Sequence, residues 1–213
     1  MVLGNGIHII LLDIHIGDED NCQALKQQFQ NALQLVNLIP PDKLDVLICS
    51  FKETDTSISF VHTPGQVLQL IEEHYDKQIV FVSSGSIGQY MLPLIINMYQ
   101  NVYRFYFFGS IINNYHLEFP LNYQSYLQTF NHEIDLVVQL IRDISNDIIV
   151  QGRIYLQLED AQCAMKCFEY ALQLNLNANQ IDTFHNPYLK YIDELIGDEN
   201  NIGLIQQAKN ILK

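Results

Sequence analysis

The chain has 213 residues, enough for one full domain and a smaller second one, and 48% of them are hydrophobic, so a core can form. A formal charge of −13 argues against a nucleic-acid partner and against an anionic membrane surface. No apolar run approaches the ~20 residues of a membrane span, and Met1 to Gly6 lacks the basic region and long apolar stretch of a secretory signal.

Cys22, Cys49, Cys163 and Cys167 lie in apolar or helical contexts, which predicts reduced thiols in a cytoplasmic protein rather than a disulfide scaffold. His8 to Ile14 reads as a strand with Ile9 to Leu12 as its buried middle and Asp13 at its carboxyl end. Gly17 to Asn21 is an acidic loop in which Asp20 or Asn21 can cap the next helix. That helix carries Ala24, Leu25, Phe29, Ala32, Leu33 and Val36 as one apolar stripe, and Pro40-Pro41 stops it. Leu44 to Phe51 is the second predicted strand, followed by a polar loop from Lys52 to Ser57 with Asp55 near the strand's end. Thr63-Pro64 reads as an N-cap with proline in the first helical position, and Val67, Leu68 and Ile71 form the inner face behind it.

Gln78 to Pro93 organises the chain. Ile79 to Val82 is a continuous apolar run, as expected for a strand buried on both faces. Ser83 to Gly88 is small and polar, and from Gln89 the spacing of Met91, Leu92, Ile95 and Ile96 is helical. A buried strand that feeds a Gly/Ser turn and a helix is the unit of an α/β sheet, whose ligands bind at the carboxyl ends of the strands. Val102 to Phe108 is a fourth, strongly aromatic strand. Gly109 to Tyr126 is irregular, and Phe130 to Ser145 is a helix with Ile134, Val137, Val138, Ile141 and Ile144 facing inward. Strands alternating with helices predict a parallel sheet with right-handed crossovers.

After about Ile148 the strand signals stop. Gly152 to Leu174 resembles a tetratricopeptide repeat: Gly152 and Tyr155 have the spacing of its first helix, and Ala164, Phe168 and Ala171 that of its second. Leu176 stands where the family's terminal proline would be. A second helix pair is expected near Pro187 to Ile196 and Ile202 to Leu212. One repeat cannot bury its own face, so these helices must pack on one another or on the α/β domain.

The turn Ser83-Ser84-Gly85-Ser86-Ile87-Gly88 has three readings. It is a tight strand-to-helix turn whose glycines admit close packing. It is an anion or nucleotide pocket of backbone N–H groups and serine hydroxyls at a helix start, with Asp13 at the same sheet edge. Or it is a nucleophile elbow with Ser86 as nucleophile and His116, His132 or His185 as base. The elbow pattern would need glycine where Ser84 stands. Asp13, Asp18 and Asp20 have the composition of a Mg²⁺ site, but a solvated acidic loop accounts for them more simply. Cys163 and Cys167 share a helical face with no second Cys/His pair at ligand spacing, which favours packing over zinc.

The strand, Gly-Asp-Glu-Asp loop and helix at the start resemble a Toll/interleukin-receptor-like (TIR-like) or receiver-like α/β domain. The phrase Val80 to Ile95, with Val102-Tyr-Arg-Phe-Tyr-Phe-Phe-Gly109, also resembles a lineage-expanded invertebrate domain family that precedes tetratricopeptide repeats or ADP-ribosyltransferase domains. The TIR resemblance implies a glutamate on the helix after the third strand for NAD cleavage. Ser86 to Asn97 contains no acid, which argues against that activity. A receiver would carry an aspartate where Ser83-Ser84 stands, and a lysine after the fourth strand.

The expectation is therefore an α/β fold: an open parallel sheet of about four to five strands, flavodoxin- or TIR-like, with a small all-α helical-repeat extension. Residues 1–147 would form the α/β domain and 148–213 the tetratricopeptide-like segment. The expected function is a non-catalytic interaction or regulatory module that binds a protein partner through its C-terminal helices. The alternative is a nucleotide-binding or NAD-processing TIR-like enzyme, or a serine hydrolase using Ser86. The candidate ligand-binding residues are Ser83, Ser84, Gly85, Ser86, Gly88 and Asp13, for a weak nucleotide or anion; no catalytic residue, resident metal or cofactor is expected.

Overall fold

The computed structural model describes residues 6–16, 20–33, 56–109, 127–182, 190–198 and 201–212, and of Ser86 and Lys190 the backbone alone. Five parallel strands form one open sheet: β1 (Ile7–Leu12), β2 (Thr56–Val61), β3 (Gln78–Ser84), β4 (Val102–Phe108) and β5 (Leu127–Phe130). Their spatial order is β2-β1-β3-β4-β5, one of the two common doubly wound orders. Seven helices accompany them among the described residues: α1 (Gln23–Leu33), α2 (Pro64–Glu73), α3 (Gly85–Met98), α4 (Glu133–Gln157), α5 (Ala161–Ile181), α6 (Lys190–Ile196) and α7 (Leu204–Ile211).

β1, β3 and β4 form where the apolar runs are densest. All six residues of β1 are buried, as is the middle of β3, because both faces of the central strands are covered. On one face Ile10, Leu12, Phe81, Phe105 and Phe107 pack with Val67 and Ile71 of α2 and with Met91, Leu92 and Ile95 of α3. Phe81 meets Phe105 and Phe107 edge-on, with ring centroids 6.2 and 6.4 Å apart, the arrangement that aligns ring edges with ring faces. On the other face Phe29 of α1 meets Phe60 of β2 at 6.3 Å. Thr63 caps α2 in a full capping box: its hydroxyl accepts from the Gln66 N–H while the Gln66 side chain accepts from the Thr63 N–H.

Several expectations are corrected. β1 ends at Leu12 rather than Ile14, because the Asp13 carboxylate accepts from the His15 and Ile16 N–H groups and turns the chain. Thr56 and Ser57, expected in a polar loop, open β2. The predicted strand over Leu44–Phe51, with Asp55, lies outside the described residues, as do Val36, Cys49 and residues 110–126. Cys22 immediately precedes α1, and its carbonyl accepts from the Lys26 N–H at 3.0 Å. Ala24 and Ile134 are exposed rather than inward-facing. β5 was not expected, and the helix after it begins at Glu133 and runs unbroken to Gln157 rather than ending at Ser145. The division expected between residues 147 and 148 falls inside this helix.

The described residues up to Asn31 and from Thr56 to Leu136 form one compact unit; Ala32, Leu33 and those from Val137 onward form another. Within the second unit, α4 and α5 are joined by Leu158-Glu159-Asp160, and Asp160 caps α5 by accepting from the Cys163 N–H. The Ser145 hydroxyl of α4 donates to the Ala171 carbonyl of α5 at 2.9 Å and accepts from the buried Asn175 amide. Gly152 of α4 faces the ring of Phe168, while Ala164 and Ala171 are fully buried. The Arg142 guanidinium pairs with Asp182 at 3.0 Å. α6 and α7 supply the second expected helix pair; Pro187 lies outside the described residues.

Candidate functional site

A parallel sheet brings all its strand carboxyl ends to one edge. Chain order reverses direction between β1 and β3, where doubly wound sheets leave a crevice. Here that edge holds a cleft of about 520 Å³. Asp13 follows β1, Ser84 ends β3, Phe108 ends β4 and Gly109 follows it, and Asn131, His132, Glu133 and Ile134 lead from β5 into α4; all of them line it.

Each position has a local cause. Asp13 is held by its own turn, its carboxylate accepting from two backbone N–H groups at 2.8 and 3.0 Å. Ser84 is the N-cap of α3, with extended backbone (φ −63°, ψ 145°), yet its side chain makes no cap hydrogen bond. Its hydroxyl therefore stands at the cleft with no helix N–H as its fixed partner. The carbonyl of His132 accepts from the Leu136 N–H, which makes His132 the last residue before the helical ladder of α4. The acids Glu133 and Asp135 occupy that helix's first turn, where they complement its dipole. The starts of α3 and α4 thus share one cleft with two carboxylates, an imidazole, an amide and a hydroxyl.

The predicted site residues divide. Asp13 and Ser84 come together at the cleft. Ser83 does not join them: it is fully buried, and its hydroxyl donates to the Ser84 carbonyl at 3.1 Å. Gly85 is buried as the first residue of α3, and Gly88 packs against Phe107. The Ser83–Gly88 turn is in fact a direct junction, since β3 runs through Ser84 and α3 starts at Gly85 rather than Gln89. The Ser86 side chain, His116, His185 and Asp18 lie outside the described residues. Asp20 is exposed, and among the described residues no group of three or more His, Cys, Asp or Glu side chains is placed to hold a metal. Cys163 and Cys167 both lie in α5 as thiols. Among the described residues no helix is long and apolar enough to cross a membrane.

Sequence reasoning missed Asn131, Glu133 and Ile134, and named His132 only as a base for Ser86. The available signal was Asn131-His132-Glu133-Ile134-Asp135, a polar pair followed by acids ahead of an apolar stripe, which is how a helix start reads. Comparison with protein-family models, curated proteins and solved structures found no match to this chain.

Proposed function

We propose that the chain is a non-catalytic regulatory module. Its α/β unit, read as TIR-like or receiver-like, takes a small polar ligand at the carboxyl edge, and its helical unit docks a protein partner. The observation that carries this reading is the cleft between Asp13, Ser84 and His132 at the switch point of the sheet. Two helix starts favour an anionic group there, while Asp13 and Glu133 oppose a bare one. A ligand with a phosphate offset by Mg²⁺ fits both facts, and binding at millimolar rather than nanomolar strength is expected. The strand order 2-1-3-4-5 suits a receiver-like or flavodoxin-like unit. The tetratricopeptide-like reading of the helical unit is supported by Gly152 under Phe168 and by buried Ala164 and Ala171 at the repeat's close-approach positions.

Calorimetry and thermal shift with ADP-ribose, NAD⁺ and ATP, each with and without Mg²⁺, test it. The expected result is weak, Mg²⁺-dependent binding of at least one, reduced by Ser84→Ala and by Asp13→Asn. No heat and no shift at millimolar ligand would remove the ligand from the reading. Turnover of NAD⁺ or of an ester panel would overturn the non-catalytic assignment.

A further inference from the structure

We infer that His8 and His74 form an acid-sensitive latch, holding the turn between α2 and β3 onto the sheet until His8 takes a proton. This goes beyond the carboxyl-edge cleft and does not depend on it. His8 is the second residue of β1 and only 3% exposed. Its Nδ1 lies 2.7 Å from the Ser57 hydroxyl of the neighbouring strand, and its Nε2 has no hydrogen-bond partner among the described residues. The His74 ring covers it, with centroids 4.0 Å apart and planes inclined by 36°. His74 ends α2, and its N–H donates to the Leu70 carbonyl. The carbonyls of His74 and Lys77 both accept from the Asn101 side chain, at 3.4 and 3.3 Å. The Lys77 N–H also donates to the His74 carbonyl within the turn, and the Gln78 N–H to the Gly6 carbonyl at its end, each at 3.0 Å, so the His8–His74 ring contact is one of several that seat the turn.

A neutral imidazole has one N–H and one acceptor nitrogen, and Ser57 satisfies one of them. An imidazolium has two N–H groups. Ser57 can accept from one, and the other would be buried without an acceptor, which is costly. The charged groups facing His8 make this worse. From the covering turn come His74, Asp76 and Lys77, of which His74 and Lys77 repel the added charge. β2 offers the uncharged Ser57, and Gly85 to Met98 of α3, on the same face of the sheet, contains no charged residue. Glu72 and Glu73 of α2 are exposed, and Glu72 accepts from the Tyr99 hydroxyl. Burial, with His74 and Lys77, pushes His8 down from 6.5 to about 4.

The sign follows by linkage. With the turn in place His8 resists protonation, and with the turn lifted it regains an ordinary affinity for a proton. Between pH 6.5 and about 4, each unit of acidification multiplies the open-to-closed ratio by about ten. The strand cannot yield first, since β1 is hydrogen-bonded to β2 on one side and β3 on the other. The turn can.

The chain contains no tryptophan, and Tyr75 on this turn is 79% exposed. Tyr75→Trp therefore supplies a single fluorescent reporter, read from pH 7 to pH 4 beside far-UV circular dichroism. The expected result is a one-proton fluorescence transition in that range with unchanged dichroism. Tyr75→Trp/His8→Gln should lack it. Should that variant not fold, Tyr75→Trp/His74→Gln should lack or flatten it instead. A transition that persists in a folded His8→Gln variant, that is absent above pH 4, or that coincides with loss of dichroism would overturn the latch.

Discussion

Gly88 lies against the face of Phe107: a Cβ built on Gly88 would come within 2.5 Å of the ring's Cε1. Phe107 is fully buried among Phe81 and its neighbours, so the ring has little room to retreat. Gly88→Ala is therefore expected to cost about 1–3 kcal/mol, the usual range for overpacking a filled core. Urea unfolding at neutral pH measures it. The constraint is steric rather than conformational, since positive φ among the described glycines is found at Gly6, Gly109 and Gly197 and not at Gly85 or Gly88.

The helical unit has its own close approach. A Cβ on Gly152 would meet the Phe168 ring at 2.5 Å and the Cys167 Cβ at 3.0 Å. Gly152→Ala should lower stability by about 1–3 kcal/mol, despite the better helix propensity of alanine. Trimming the ring in Gly152→Ala/Phe168→Leu should recover part of the loss relative to the sum of the two single changes. Strictly additive losses in a double-mutant cycle would show that the two residues do not compete for the same space.

Thr63 and Ser84 both precede helices, yet their hydroxyls do different things. Thr63 accepts from the Gln66 N–H, so Thr63→Ala should cost about 1 kcal/mol. Ser84 makes no such bond, so Ser84→Ala should stay within about 0.5 kcal/mol of the parent protein. Equal losses for the two variants would mean that Ser84 supports its helix after all, and would weaken its assignment to the ligand cleft.

Asp160 supplies a pH test in the helical unit. The Cys163 N–H that it caps holds its carboxyl below the usual 3.8. A carboxylate depressed in the folded state adds stability that is complete above its unfolded value. That stability is lost as the pH falls through the folded value. Asp160→Ala should thus be destabilised by about 1 kcal/mol at pH 7, and by progressively less below pH 4. Asp160→Asn should keep the cap and lose the pH dependence. Guanidinium melts at pH 7 and pH 3 distinguish these outcomes.

How much of this was readable beforehand depended on contrast along the chain. Val102 to Phe108 was legible to the residue, because six apolar or aromatic residues, interrupted only by Arg104, stand between Asn101 and Gly109. β2 was not. As an edge strand it is half-buried, and Thr56-Ser57-Ile58-Ser59 has the polarity of a loop. β5 has four residues, two of them Gln128 and Thr129, too few for a period to register. Ser145 and Gly152 suggest a helix end, but in α4 each meets a specific partner on α5, Ala171 and Phe168. The cleft followed the same rule. Asp13 and Ser84 close recognisable strands and were found. Asn131 to Ile134 follow a strand that was not recognisable, and nothing local links them to Asp13.

The passage from β3 to α3 has no residue to spare. Ser84 is at once the last residue of the strand and the cap of the helix, and Gly85 is already helical. This point of the chain therefore has no slack. One inserted residue would rotate every side chain of α3 by about 100° about the helix axis, turning Leu92 and Ile95 out of the core. Length variation is expected elsewhere before it is tolerated here. An insertion between Ser84 and Gly85 should be far more damaging than one of equal size after Met98, where Tyr99, Gln100 and Asn101 separate helix from strand.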